Sequence, residues 1–247
     1  KYSHALPADR QGEMAHRFIL GLYRVLETLT RDFPQVLFEG CSGGGGRFDA
    51  GMLYYTPQIW CSDDTDAIER LQIQYGTSFG YPVSAMGAHV SAVPNHQTGR
   101  MTPLSTRGCV AMAGTFGYEL DLNKLTEEEK EEISGQIRTF KAFYDCIQYG
   151  DYYRLTSPLS GSCTVWETVA PDASEALVSA VYHHVQANPV PVYVKLRGLE
   201  EKASYRLSLV GKEEEMTLSG AALMHAGLPI PPAKGDYCAW QIHLVRI

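Results

Sequence analysis

Apolar positions at Met14, Phe18, Leu22, Val25 and Leu29 recur at spacings of four, four, three and four, which predicts one face of a helix. Pro7 and Asp9 suit its start, because proline fits a first turn and aspartate can accept from free backbone N–H groups. Pro34 ends it. The run Val36-Leu37-Phe38 then predicts a short buried strand leading into a glycine-dense loop. Met52-Leu53-Tyr54-Tyr55 fits a helical turn, and Ile59-Trp60 the next strand. From Asp64 to Tyr75 the pattern is helical again, with Ile68, Leu71 and Ile73 as apolar positions, and Pro82 stops it. Ser84 to Val90 predicts a third strand, followed by a loop holding His96 and Arg100; Val110 to Gly117 predicts a fourth. Strand, loop and helix in repetition are the grammar of a parallel α/β sheet.

Thr126-Glu127-Glu128-Glu129 reads as a capping box opening a helix whose apolar face continues through Ile133, Ile137, Phe140, Tyr144 and Ile147, with Gly150 to close it. After Tyr152 the pattern changes. Short β-rich runs (164–166, 176–182, 190–194, 205–209) alternate with proline, glycine and aspartate turns. Cys238, Trp240, Ile242 and Leu244 then alternate with Ala239, Gln241, His243 and Val245 at period two. An antiparallel β-sandwich is expected for residues 151–247, after an α/β unit over residues 1–150.

Composition narrows the function. The 247 residues are 45% hydrophobic and 20% charged, the profile of an ordinary globular protein. A net charge of −7 argues against a nucleic-acid partner, which needs a basic surface, and suits a neutral small-molecule substrate. No apolar run reaches the roughly 18–20 residues that span a bilayer, so no membrane partner is expected. The first residues, Lys1-Tyr2-Ser3-His4, lack the apolar core of a signal peptide. Six dispersed cysteines without a Cys-x-x-Cys pair, and no Asn-x-Ser/Thr acceptor, fit a reduced cytoplasmic protein. The abrupt start without an initiator Met leads us to expect a fragment.

The chemistry-bearing residues gather after two of the expected strands. One loop reads Cys41-Ser42-Gly43-Gly44-Gly45-Gly46-Arg47-Phe48-Asp49; the other reads Cys61-Ser62-Asp63-Asp64-Thr65-Asp66 and opens a helix. In alternating strand–helix folds the C-terminal strand ends carry the chemistry, so two such loops this close in sequence predict one shared pocket.

These motifs resemble glycoside hydrolase family 36, the bacterial α-galactosidases. The similarity covers nearly all of residues 7–122. It rests on the glycine loop, on Gly51-Met52-Leu53-Tyr54-Tyr55, and on Gln58-Ile59-Trp60 with Ser62-Asp63-Asp64-Thr65-Asp66. It continues through Met86 to Gln97 and through Phe116-Gly117-Tyr118-Glu119-Leu120-Asp121. The resemblance implies α/β architecture: the second half (strands five to eight) of a (β/α)8 TIM barrel over residues 1–150, then the C-terminal antiparallel sandwich. It also implies retaining hydrolysis of terminal α-galactosides such as melibiose and raffinose, by a homotetramer when complete. No cofactor or metal is expected.

In that scheme Asp63 matches the proton donor, while Cys41, Gly43 and Gly44 match the loop contacting the galactosyl ring; Arg47 and Trp60 are taken as further substrate-binding candidates. Cys61 stands where the family usually has Thr, and Cys109 where it often has Asp; neither change removes a catalytic group. The family nucleophile, an Asp in a Trp-Asp-Met-Asn-like motif, has no match in this sequence. The resemblance puts Lys1 just downstream of it.

Each candidate also has a plainer reading. Ser62, Asp63, Asp64 and Asp66 could simply cap a helix. Trp60 could lower the polarity around Asp63 and favour the neutral acid, against the pull of a helix start. Gly43 to Gly46 could cradle phosphate, yet they lack the Gly-Lys-Ser/Thr ending of a P-loop, so close backbone approach to a sugar is preferred. Cys41 is read as a pocket wall. Arg47 could orient Asp63 or Asp49 through a bidentate pair, or support the loop. Glu39 is expected to be a buried structural acceptor, and His89 and His96 loop supports, with no metal-ligand spacing. The alternative function is a non-catalytic carbohydrate-binding or assembly fragment.

Overall fold

The computed structural model describes residues 2–247. Helix α1 (Glu13–Asp32) forms where the apolar stripe predicts it, although none of its residues is fully buried. Pro7 opens a separate 3-10 turn, Ala8–Arg10, and α1 begins only after Gly12. Strand β1 (Glu39–Gly40) lies downstream of the expected run, because Val36 and Leu37 are exposed and outside the sheet. Helix α2 (Ala50–Tyr55) is tied to α1 by the Tyr55 hydroxyl donating to Glu27 at 3.1 Å. There follow β2 (Gln58–Trp60), α3 (Ala67–Thr77), β3 (Met86–Gly87) and β4 (His89–Ser91), then α4 (Leu104–Ala111) and β5 (Gly117–Glu119).

β1 pairs with β2 and β2 with β3, while β4 pairs with β5, all parallel, with Gly40 opposite Ile59, Trp60 opposite Gly87 and His89 opposite Gly117. Only Ala88 separates β3 from β4, so the parallel strands follow one another in chain order. The expected strand over 110–117 is instead the end of α4 and a turn. Cys109, Val110, Ala111, Met112 and Ala113 are all buried, and a helix enclosed on every side lacks the polar contrast that marks a helical period.

Helix α5 (Glu127–Ala142) carries the capping box: Thr126 accepts from Glu129 N, and the Glu129 carboxylate accepts from Thr126 N. The helix breaks at Phe143, and α6 (Tyr144–Tyr149) runs to Gly150. Every later strand pairs antiparallel. β6 (Asp151–Arg154), β7 (Cys163–Val169), β8 (Glu175–Tyr182), β9 (Tyr193–Val194), β10 (Ser204–Leu209), β11 (Glu215–Ser219), β12 (Leu228–Pro229) and β13 (Cys238–Arg246) complete the chain. Six of them form one sheet, ordered β11-β10-β13-β8-β7-β6; β9 and β12 pair separately. The expected second sheet of a sandwich is therefore reduced to two short strands and the turn Ala222–Ala226, which cover one face through Val194, Leu223 and Leu228. The other face packs on the helices: Trp166 and Val181 join Leu71 and Val110, and Leu177 joins Met112, Phe143 and Ile147.

Candidate active site

Cys41 follows β1 directly, and the next four residues turn the wrong way for L-amino acids. Ser42, Gly43, Gly44 and Gly45 have φ of 59°, 67°, 70° and 84°, and Gly45 N closes the left-handed turn on Cys41 O at 2.9 Å. Each residue with a Cβ in that conformation costs roughly 1–2 kcal/mol, which is why three of the four are glycine. The turn packs on the end of β2. A Cβ on Gly44 would lie 2.6 Å from Asp63 N, and one on Gly45 2.8 Å from Cys61 O. Around Gly43 there is open space. Gly44 and Gly45 are thus held against the Asp63 loop, and Gly43 faces open space.

Asp63 is exposed, three residues past β2. Its Oδ1 accepts from the Trp60 indole N–H at 3.1 Å and lies 4.0 Å from the Cys41 thiol. Among the described residues its Oδ2 has no hydrogen-bond partner. Trp60 thus meets Asp63 through its indole N–H, which fixes the direction of the carboxyl. Nor does Asp63 cap α3. Asp66 does, accepting from Ile68 N at 2.8 Å and Glu69 N at 3.3 Å. Burial opposes ionisation of Asp66, but bonds from Thr98, those two amides and Arg100 outweigh it and hold its pKa below the ordinary value.

The loop after β4 supports the same end of the sheet. Gln97 donates to Asp63 O at 3.1 Å and accepts from Thr65 N at 2.9 Å, while Asn95 donates to the Thr65 hydroxyl at 3.0 Å. His89 stacks on Trp60 with ring centroids 4.4 Å apart, and His96 is exposed. Arg47 pairs with neither Asp63 nor Asp49; its Nε is buried without a hydrogen-bond partner, and Asp49 instead caps α2 through Met52 N. Glu39 is exposed rather than buried, with Oε1 against Gly87. Among the described residues no group of three His, Cys, Asp or Glu side chains could hold a metal ion.

Sequence reasoning missed Arg70. It is 1% exposed, and its guanidinium lies 4.3 Å from the Trp60 ring centroid. A signal existed: Arg70 and Gln74 share the inward face of α3 with Ala67 and Leu71, polar groups where an apolar stripe should be unbroken. Gln97 and Asn95 left no comparable trace, since loop contacts have no period.

Asp63, Cys41, Trp60 and Gly44 therefore meet at the C-terminal ends of neighbouring parallel strands, the edge where α/β folds hold ligands. Residues 1–150 match the Melibiase family, and residues 163–244 match the Glycosyl hydrolase family 36 C-terminal domain. The bifunctional alpha-galactosidase/sucrose kinase AgaSK of Mediterraneibacter gnavus is 55% identical over 236 residues, 96% of this chain and 25% of the relative. Alpha-galactosidase AgaA of Geobacillus stearothermophilus is 51% identical over 246 residues, 99% of this chain and 33% of the relative. A crystal structure of an AgaA variant in complex with raffinose superposes with a TM-score of 0.93 at 50% identity, covering 100% of this chain and 34% of that one. The chain thus spans between a quarter and about a third of the length of these relatives. It belongs to the melibiase family, within glycoside hydrolase family 36.

Proposed function

We propose that this chain supplies the general acid/base of a retaining α-galactosidase, with Asp63 protonating the leaving oxygen and later activating water. The observation that carries the reading is the exposed Asp63 carboxyl: one oxygen is fixed by Trp60 N–H at 3.1 Å, and the other is unpaired at the rim beside the glycine turn. Gly43, open and side-chain-free, and Cys41 then border the galactosyl ring, with Arg47 supporting the turn.

Retention also requires a second carboxylate about 5–5.5 Å from the acid. No Trp-Asp-Met-Asn-like motif occurs in the sequence, so the nucleophile is assigned to polypeptide outside residues 1–247. The parallel strands then stand for strands five to eight of a (β/α)8 barrel over residues 1–150, and residues 151–247 for the C-terminal β domain. The same reading carries substrates of the raffinose and stachyose type, which relatives' structures hold, and a cytoplasmic homotetramer without a cofactor.

The test is kinetic. In the full-length natural polypeptide that carries residues 1–247, Asp63→Asn should lower kcat/KM for methyl α-galactoside by about 10²–10⁴-fold, and far less for the 4-nitrophenyl glycoside. A poor leaving group needs the proton; a good one does not. Equal losses on both substrates, or full activity from residues 1–247 alone, would overturn the assignment.

A further inference from the structure

Arg70 is a buried cation with no carboxylate partner among the described residues. Removing a charge from water is expensive unless its hydrogen bonds are all made, and here they are. Nε donates to Gln74 Oε1 at 3.1 Å; Nη1 donates to Ser62 O at 3.3 Å and Asp64 O at 3.1 Å. Nη2 donates to Gly87 O at 2.8 Å and Cys61 Sγ at 3.3 Å. A guanidinium has five N–H groups in a fixed fork, and each finds a separate acceptor. Three of those acceptors lie in the Cys61–Asp64 segment, on either side of Asp63, and a fourth lies on β3.

The clamp extends in two directions. Gln74 passes the hold to the end of α4, donating to Val110 O at 3.0 Å and Ala113 O at 3.4 Å. The guanidinium lies against Trp60, whose N–H holds Asp63 Oδ1. One rigid group therefore fixes both the backbone that carries Asp63 and the side chain that aims it. Cys61 fits this role, because its sulfur accepts from Nη2 at 3.3 Å.

We propose that Arg70 is a positioning residue for Asp63, setting the direction of its carboxyl through Trp60 and the carbonyls of Ser62 and Asp64, without touching substrate. The proposal rests on Asp63 being the acid. Misplacing a catalytic group by about 1 Å can cost about 10²-fold, and the loss should fall where proton donation matters.

In the full-length natural polypeptide that carries residues 1–247, kcat/KM is measured for the methyl and 4-nitrophenyl α-galactosides, since this ratio reports the first bond-breaking step only. Asp63→Asn is run alongside. Arg70→Lys keeps the charge but loses the fork; it should lose about tenfold or more on the methyl glycoside beyond its loss on the nitrophenyl one. Its KM for the methyl glycoside should stay within about threefold of wild type. If Asp63→Asn discriminates between the substrates and Arg70→Lys loses equally on both, the positioning role is refuted while the acid assignment stands. If Asp63→Asn itself does not discriminate, the acid assignment fails, and with it this one. Should Arg70→Lys not fold, Gln74→Met, which loosens one prong and the tie to α4, is judged by the same discrimination.

Discussion

At the residue scale, Glu167 on β7 is the group most at odds with its surroundings. It is fully buried on the same face as Val165 and Val169; Oε2 accepts from Arg197 N at 3.0 Å, and Oε1 has no partner. Burial pushes its pKa up from 4.5 to about 8. Below pH 4.5 the folded and unfolded chains are both protonated, and the group has no effect on stability. Between that point and pH 8 the unfolded chain ionises while the folded one keeps its proton, so stability falls as pH rises. Glu167→Gln removes the titration and keeps the shape. The stability of the variant relative to wild type should therefore climb by on the order of 1 kcal/mol per pH unit from pH 5 to 8. Thermal unfolding across that range reads the slope. A flat difference would mean that Glu167 is ionised in the folded protein. The amide of the variant leaves its own polar atoms partly unpaired, a constant offset that does not enter the slope.

At the element scale, the left-handed turn Ser42–Gly45 joins local conformation to the placement of Asp63. Gly44→Ala adds a Cβ 2.6 Å from Asp63 N, so the two loops must part; Gly43→Ala meets only the strain of its positive φ. Steady-state kinetics on the methyl glycoside, whose leaving group needs the proton, should separate them: Gly44→Ala lowers kcat, by about 10²-fold, through a displaced acid. Gly43→Ala should raise KM, because its methyl enters the open space proposed for the sugar. Identical kinetic signatures would sever the turn from the acid. That the turn mattered was legible in the sequence, since four consecutive glycines beside a carboxylate loop have few other uses. So were α1, with its stripe from Met14 to Leu29, and α5, with its capping box. What escaped was whatever lacked a period. Enclosed α4 looked like a strand, and β11, exposed along almost its whole length, looked like nothing. Arg70 and Gln97 act across α3 and the loop after β4, and such contacts exist only once the chain has folded.

At the scale of the whole molecule, the change of pattern near residue 150 coincides with a change of strand pairing but not with a gap in the core. Trp166 on β7, 6% exposed, packs with Leu71 of α3 and Val110 of α4, and Val181 of β8 is in the same cluster. Leu177 of β8 is likewise enclosed by Met112, Phe143 and Ile147. Buried apolar contacts of this kind couple the elements they join, so the helices that hold the Asp63 loop and the sheet after Gly150 should unfold as one unit. Trp166→Ala tests this coupling, because it empties the junction without touching a proposed catalytic group. It should destabilise by about 3–5 kcal/mol. The near-ultraviolet signal of the aromatic core and the far-ultraviolet signal of the backbone should keep a single shared transition at the lower temperature. If only the β-rich half loosened, the two signals would separate, and the Asp63 loop would keep its melting point. Coincident loss would mean that the sheet after residue 150 is the floor on which α3, and with it Arg70 and the acid, are set.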